Sequence, residues 1–391
     1  MFWDDRIGGF VFTRYDHIVE ILTNPKVFSS KHMLKHRPIP EELAEYFPDG
    51  HPGLHSLTFM DNPRHGRIRR LANQAFTPRR IAELEPVVSA IANRLIDTFQ
   101  EKGEADLLAE FTAQLPMLLM RHIAGATEET DLDFTSWGPD YFALTESAPP
   151  LTHDRIEQIG AKSGRILKWM REYVELRRAK PGDDFISSLI EARTPEGDTA
   201  LSTTEVVGVL SAMLSAGIET TAHFLPQLLR HLLSDPNLLE LVKADRGRIR
   251  PVIEEALRIY PASRGMRRTA LEDVEVGGVL VPAGTDVFVY LISANFDDGV
   301  FPAPHVFSDE RPNGERHLSF GRGTHFCIGA PLARLEIRVA LNLLLDRLPG
   351  LRLDPAEPGP EGAVDWEPNL TVPRLKHFYV KWDAAAIRSD I

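Results

Sequence analysis

The sequence of 391 residues predicts a mainly α-helical protein with a minor β-sheet region, on three observations. Nearly every segment between 64 and 247 carries apolar residues at helical spacing. Period-two alternation concentrates between 273 and 291, where Val274/Val276, Val279/Val281 and Val287/Val289 surround Gly277-Gly278 and Pro282-Ala283-Gly284 turns. No internal repeat, low-complexity tract or shift in composition marks a linker, so residues 1–391 read as one domain.

Taken in order, Gly9-Phe10-Val11-Phe12-Thr13-Arg14 reads as a short strand after a Gly-Gly turn. A helix follows over 15–22, with Ile18, Ile21 and Leu22 on one face, and Asn24-Pro25 ends it. Residues 31–62 hold Pro38, Pro40, Pro48, Pro52, Gly50 and Gly53 and predict a long loop with one helical turn at 41–46. Loops of this length in a compact domain are usually functional or mobile. The most informative helix spans 203–233, where Ser202 and Glu205 have capping-box spacing and Asp235-Pro236 supplies a stop. At about 1.5 Å per residue it makes a rod of roughly 45 Å. Its middle, 206–216, is apolar nearly all round, which predicts burial, and Pro226 should bend its distal third. A last helix covers 331–348, and the Pro/Gly-rich tail ends in a hairpin signal at 378–382.

Composition excludes several classes. With 44 Lys+Arg against 56 Asp+Glu the net charge is −12, which gives no support to nucleic-acid binding. One cysteine rules out an intramolecular disulfide and fits a reducing compartment. The longest apolar stretch, 206–218, falls short of the roughly 20 residues that span a bilayer. The start, Met1-Phe2-Trp3-Asp4-Asp5, has neither the basic nor the apolar region of a secretory signal. The expectation is a soluble cytoplasmic protein without nucleic-acid or membrane partners.

The sole cysteine stands in Ser319-Phe320-Gly321-Arg322-Gly323-Thr324-His325-Phe326-Cys327-Ile328-Gly329-Ala330-Pro331-Leu332. Glycines 321, 323 and 329 let the backbone fold tightly around Cys327 and admit a flat ligand. Ala330-Pro331 then opens a helix, whose free N–H groups and dipole should lower the thiol pKa. A lone cysteine is more often inert and buried, a reading that the glycine spacing and helix start oppose. Phe320-x-x-Gly323-x-x-x-Cys327-x-Gly329 resembles the haem-binding signature of the cytochrome P450 family. Arg316-His317-Leu318-Ser319 before it and Ala330-Pro331-Leu332-Ala333-Arg334-Leu335-Glu336 after it are similar to soluble bacterial members. The resemblance runs from about residue 3 to 382. It implies the cytochrome P450 fold and haem b (iron protoporphyrin IX), with Cys327 on the iron and Phe320, Gly321, His325 and Gly329 around the cofactor.

Three further motifs take their meaning from that resemblance. Glu255-Ala256-Leu257-Arg258 places a carboxylate and a guanidinium on one helical face, in isolation a surface ion pair. The family implies a buried structural network instead, completed by Arg311 in Asp309-Glu310-Arg311-Pro312-Asn313. Ala216-Gly217-Ile218-Glu219-Thr220-Thr221 sits mid-helix, where glycine costs about 1 kcal/mol relative to alanine. Thr221 could bond back to the helix carbonyls and Glu219 could face solvent. The resemblance implies a widened turn at Ala216 and Gly217 beside the haem, with Glu219 conducting protons and Thr220 steadying dioxygen. Two proton transfers call for an acid rather than an amide. His65 and Arg69 stand one helical turn apart, and such donors suit carboxylates. With Arg268 and His325 they match the positions that hold the haem propionates, although each alone reads as a solvated residue. The remaining histidines show no metal-ligand spacing and read as loop or surface residues.

Two positions depart from the family pattern. The first helix of the family is expected to be absent, since the sequence begins almost at the first strand. Phe296, in Ala294-Asn295-Phe296-Asp297, stands where an arginine is more usual and has no functional reading. The implied reaction is haem-thiolate monooxygenation, inserting one oxygen atom of O2 into a hydrophobic small molecule. A peroxide-driven peroxygenase or decarboxylase, opposed by the intact Glu219-Thr220 pair, and a non-catalytic haem sensor are the alternatives. By family position the substrate is lined by 35–60, helices between 134 and 173, Ala212, Ser215, 262–266 and 370–372, including Val372. These segments are mostly apolar, with Arg264 a charged exception that either recognises a carboxylate or faces solvent. Arg67, Arg69, Arg70, Arg79, Arg80, Arg322, Arg334 and Arg338 gather near the expected thiolate face. That basic patch would steer an acidic ferredoxin, or a flavodoxin-like donor, served by its reductase.

Overall fold

Twelve short strands carry the β content of the residues described in the computed structural model, 1–127, 129–135, 137–145, 150–357, 365–367 and 371–388. β1 (Phe2–Asp4), β2 (Gly9–Phe12) and β3 (Phe28–Ser29) open the chain, and β4 (Glu104–Asp106) interrupts the stretch predicted to be helical. β5 (Met266–Ala270), β6 (Val274–Val276), β7 (Val279–Val281) and β8 (Asp286–Val289) follow. β9 (Arg352–Leu353), β10 (Trp366–Glu367), β11 (Arg374–Leu375) and β12 (Tyr379–Lys381) lie in the tail. The largest sheet has the order β1-β2-β8-β5-β3, with β2 and β8 parallel. A side chain at Gly9 would place its Cβ 2.1 Å from the Asp286 carbonyl oxygen, so only glycine lets β2 lie against β8. The hairpin expected at 378–382 does not form. β12 instead is the central strand between β4 and β9, because the alternation there reflects burial on one face rather than a local turn.

The labelled helices are α1 (Tyr15–Thr23), α2 (Arg64–Asn73), α3 (Glu85–Asp97), α4 (Gln114–Ile123), α5 (Trp137–Ala143), α6 (Arg165–Ala179), α7 (Thr203–Ser234), α8 (Ile249–Ile259) and α9 (Ala330–Arg347). The 31–62 loop holds three single 3₁₀ turns, at Glu41–Leu43, Pro52–His55 and Leu57–Phe59, rather than one. α7 runs 32 residues, about 48 Å, and packs against α4, α5, α6 and the Pro52–His55 turn. Its capping box is formed: Ser202 Oγ accepts the Glu205 N–H at 3.2 Å, and Glu205 Oε2 accepts the Ser202 N–H at 3.0 Å.

Pro226 lies inside α7 and can give no N–H to the Ala222 carbonyl, a loss of about 3 kcal/mol or more in an exposed helix. Here the Thr112 hydroxyl takes that carbonyl at 3.0 Å. Leu225, Leu228, Leu229 and Leu232 around it are fully buried at about 2 kcal/mol each, so burial outweighs the break. One apolar cluster surrounds α7, and a second joins α1 to the large sheet through Phe12, Ile18, Ile21, Val287 and Val289. The segment from β8 to α9, which includes Cys327, links the two clusters in sequence.

Candidate active site

The loop before α9 is closed by the Cys327 N–H, which donates to the Phe320 carbonyl at 2.9 Å. Gly321 and Gly323 have φ of +69° and +71°, and a Cβ at Gly323 would meet the Leu22 carbonyl oxygen at 2.5 Å. Gly329 is different: its φ is −82°, and a Cβ there would stand 3.9 Å from Cys327 Sγ in ordinary contact. Cys327 is exposed, yet protein surrounds it closely enough for burial to push its thiol pKa up. It therefore faces a cleft cut into the protein rather than the outer surface. The N–H groups of Gly329 and Ala330 and the charges of Arg69 and Arg334 pull the other way, as the helix start predicted. Burial wins, which corrects the expectation of a lowered pKa.

Beside this loop, α2 supplies His65 and Arg69, β5 supplies Arg268, and the loop itself supplies His325. The His65 and His325 rings lie 4.1 Å apart, tilted by 33°. His325 Nε2 is 3.1 Å from Ser30 Oγ, while His65 Nε2 is buried without a hydrogen-bond partner among the described residues. Burial, joined by Arg69, holds His65 at about 4; burial, joined by His65, Arg268 and Arg69, holds His325 at about 3. Burial also lowers Arg268 to about 10. Neither Arg69 nor Arg268 forms an ion pair with a described residue. Asp61, whose charge reaches the cluster, already accepts from Ser29 Oγ and the Ser30 N–H at 2.6 and 2.9 Å. Arg69 bonds only the neutral Asn73 Oδ1 at 3.1 Å and the buried Arg268 only the Arg267 carbonyl at 2.7 Å and Met33 Sδ, so their charges are not neutralised and the donor set fits an anionic ligand. All four residues are brought together as the sequence implied.

The middle of α7 departs from expectation. No widened turn occurs at 216–220, where the helix continues as ordinary α-helix; wider π-type turns occur at Leu108–Thr112 and Gly160–Gly164. The Thr220 hydroxyl donates to the Ala216 carbonyl at 2.6 Å, closing the regular turn from inside. Gly217 serves helix packing, since a Cβ there would lie 3.0 Å from Met120 Sδ on α4. Ala216 is exposed in a helix whose other residues are buried or half-buried. Glu219 is ion-paired with Arg374 of β11, a partner that sequence reasoning missed. Ser215, Ile218, Glu219, His223, Phe134 and Arg374 are among the residues lining a cavity of about 250 Å³. Ala212 lies one turn back, its carbonyl accepting from Ser215 Oγ at 3.1 Å. Arg264 stacks over Trp366 at 5.8 Å and forms no ion pair with a described residue; Val372 is half-buried beside it in sequence order after Thr371, whose carbonyl takes the Arg264 N–H at 2.7 Å. Of the segments expected to line substrate, positions 136, 146–149 and 370 lie outside the described residues.

The predicted structural network is formed in full. Arg258 donates to both Glu255 oxygens at 2.9 and 2.8 Å, and Arg311 Nε reaches both at 3.0 Å. Arg258 is 0% and Glu255 1% exposed, so removal of Glu255 would strand the buried Arg258 charge at roughly 3–5 kcal/mol, whereas without Arg258 the carboxylate would still be held by Arg311. Phe296 lays its ring 5.4 Å from the Arg258 guanidinium, as does Phe301. A neighbouring network was missed: Glu254 takes Arg334 at 2.6 and 2.7 Å and His317 at 3.1 Å. Burial works to raise the Glu254 pKa, but these partners bring it down to about 2. Arg334 also stacks 4.5 Å over Phe320.

Two expectations need correction. The arginine patch is largely neutralised from within: Arg67 pairs with Glu205, Arg70 with Asp198, Arg79 with Glu83, Arg80 with Asp183, Arg334 with Glu254 and Arg338 with Glu85. Arg322 is exposed and makes no ion pair with a described residue. The remaining histidines are also not all loop or surface residues: His231 lies within α7, half-buried, with Nδ1 2.9 Å from the Tyr260 hydroxyl, and two of the loop histidines are buried. His51 is buried, accepting the Gly53 N–H on Nδ1 at 2.9 Å and donating from Nε2 to the Tyr141 carbonyl at 3.0 Å. Those bonds, beside the His36 ring 4.2 Å away and tilted by 34°, make burial tolerable for a neutral ring. His317 is buried against Glu254. Among the described residues no cluster of His, Cys, Asp and Glu could hold a metal by itself, and no helix is long and apolar enough to cross a membrane.

Comparison with known proteins accounts for this arrangement. A family model described as cytochrome P450 matches residues 19–349. The chain is 33% identical over 344 residues to 6-deoxyerythronolide B hydroxylase of Saccharopolyspora erythraea, covering 88% of this chain and 80% of that protein. It is 32% identical over 371 residues to cytochrome P450 monooxygenase PikC of Streptomyces venezuelae, covering 94% and 84%. The crystal structure of CYP109E1 from Bacillus megaterium in complex with testosterone matches 98% of this chain and 95% of that one at a TM-score of 0.82 and 27% identity. The chain is thus a member of the cytochrome P450 family of haem-binding monooxygenases.

Proposed function

We propose that residues 1–391 act as one cytoplasmic unit that hydroxylates a hydrophobic small molecule with O2, on haem b bound through Cys327. The observation that carries this reading is the set of four donors, His65 and Arg268 buried and Arg69 and His325 half-buried, which lack carboxylate partners among the described residues and lie beside Cys327. Two propionates would complete those donors. Iron coordination would overcome the burial that holds the thiol protonated, because a coordinating thiol is deprotonated outright. When bound, haem with a thiolate ligand supplies the O–O cleavage and oxygen-transfer chemistry.

The chain's own residues position, exclude water and move protons. Glu219 is the acid that brings protons to the site, and Thr220 is the hydroxyl that passes them on and steadies dioxygen. With two electrons and two protons, one oxygen atom enters the substrate and the other leaves as water. The electrons come from a separate acidic ferredoxin or flavodoxin with its reductase. A hydrophobic substrate is supported by the apolar residues Phe134 and Ile218 in the cavity, by the relative named 6-deoxyerythronolide B hydroxylase and by the similar structure solved in complex with testosterone. Arg264, stacked on Trp366, is left as a contact for a polar substituent of that substrate.

The assignment is tested at the metal ligand. Cys327→Ala should remove the strongly red-shifted Soret band of the ferrous carbon-monoxide complex, which depends on the thiolate. An unchanged band in the variant would overturn the assignment.

A further inference from the structure

α8 ends against Pro261, which has no N–H to return to the Leu257 carbonyl. Tyr260 still donates to the Ala256 carbonyl at 2.7 Å, so the open carbonyls of this helix end begin at Leu257 and Arg258, both buried. Two side chains from elsewhere fill them. The Ser319 hydroxyl donates to the Leu257 carbonyl at 2.6 Å, and the Asn295 amide donates to the Arg258 carbonyl at 3.0 Å. The same amide nitrogen donates to Ser319 Oγ at 2.9 Å, while Asn295 Oδ1 accepts the Leu318 N–H at 2.7 Å. Asn295 closes the short helix Leu291–Asn295 and is 0% exposed, so the three bonds of its amide are made out of reach of water. Its backbone carbonyl takes Arg258 Nη1 at 2.8 Å; only the side chain leaves the Glu255–Arg258–Arg311 network for the loop. Leu318 and Ser319 are the entrance to the Cys327 loop, and the next residue, Phe320, holds the Cys327 N–H on its carbonyl at 2.9 Å. Hydrogen bonds and the consecutive residues 318–320 thus connect the end of α8, through Asn295, to the cysteine.

We propose that Asn295 is a positioning residue for Cys327, fastening the entrance of the loop to the open end of α8 so that the sulfur is presented to iron at one place. The proposal rests on Cys327 as the iron ligand. An amide is the side chain this position requires. Aspartate has the same shape and could still accept from Leu318, but it would set an oxygen against the Arg258 carbonyl and bury a charge there. Alanine would leave the Arg258 carbonyl and the Leu318 N–H without partners in a place closed to water. In either case residues 318–320 are free to slide, and the Cys327 N–H moves with the Phe320 carbonyl that holds it. A residue behind a metal ligand acts in this way, through the placement of the ligand rather than by touching the metal.

The test compares Asn295→Ala, Asn295→Asp, Ser319→Ala and Ser319→Thr with the wild-type holoenzyme. One readout is the share of the ferrous carbon-monoxide complex that keeps the strongly red-shifted band. The other is the rate at which ferric haem passes to a scavenging apoprotein. Both Asn295 variants should release haem on the order of tenfold faster, the usual effect of a residue behind a metal ligand. Part of their carbon-monoxide complex should move to the shorter-wavelength band of a lost thiolate. Ser319→Ala should do the same more weakly, and Ser319→Thr, which keeps the hydroxyl, should recover most of the loss. Thr112→Val is the control for stability alone, because it also strips a helix carbonyl of its hydroxyl partner, on α7 rather than α8. It should lower the melting temperature and leave both readouts at wild-type values. Asn295 variants with the wild-type band and rate would show that Asn295 does not place the sulfur. Loss of the band in Thr112→Val, in step with its melting temperature, would reduce the effect to general destabilisation. Either overturns the proposal. Should the Asn295 variants fail to fold, the Ser319 pair decides: Ser319→Ala worse than Ser319→Thr supports the proposal, and Ser319→Ala equal to wild type overturns it. A wild-type complex without the red-shifted band would instead remove Cys327 as the ligand, and the proposal with it.

Discussion

Thr220 spends its hydroxyl hydrogen on the carbonyl of Ala216, 2.6 Å away on the same helix face. The bond is internal to α7 and ties no second element to it.

Thr220→Ala should therefore cost little stability, since a back-bonded threonine adds less than the roughly 1 kcal/mol of an average hydrogen bond. The loss should be chemical. Haem content and melting temperature should match wild type, while the share of NADPH electrons recovered as hydrogen peroxide rises several-fold. A variant that wastes no more electrons than wild type would remove Thr220 from the proton route.

Glu336 of α9 is buried with Oε1 lacking a partner among the described residues, and burial raises its pKa from 4.5 to about 8. Between those values the folded chain holds a proton that the unfolded chain has lost. Stability from this group is thus full below 4.5 and declines as pH rises, at about 1.4 kcal/mol per pH unit. Glu336→Gln keeps the shape and never ionises. It should be more stable than wild type by about 4 kcal/mol at pH 7.5 and nearly equal to it near pH 4.5, measured by urea unfolding. Parallel pH profiles for the two proteins would show that Glu336 is neutral or charged alike in both states.

Arg322, exposed beside the Cys327 loop, is the better candidate for donor docking than Arg70 or Arg338, whose charges are met by Asp198 and Glu85 at 2.8 and 2.7 Å. Arg322→Glu should slow reduction by ferredoxin more than Arg70→Glu or Arg338→Glu, in stopped-flow traces. The effect should fade as salt brings the Debye length below about 10 Å. Equal, salt-independent rates in all three would place the donor on another face.

What could be read from the sequence was written at short range. The capping box of α7, the glycines with positive φ before Cys327 and the Glu255–Arg258 spacing each depend on residues a few positions apart. The Glu219–Arg374 pair spans 155 positions, and nothing near either residue announces the other. Burial of charge was also hidden. Glu336 and Glu254 look like surface acids in a helix, and His51 like a loop residue, until packing from distant segments closes over them. The turn at 216–220 failed for a different reason: the resemblance supplied a wider shape, whereas Thr220 bonds in the regular one.

Glu205 stands at two joints. One carboxylate oxygen caps the start of α7, and the other grips Arg67 of α2, midway between His65 and Arg69. The carboxylate that caps the rod bearing Glu219 and Thr220 is thereby also a tether for the helix bearing two of the four anion donors. A single substitution, Glu205→Ala, would uncap the first helix and release Arg67 of the second together, so its cost should exceed the roughly 1 kcal/mol of a lost cap alone.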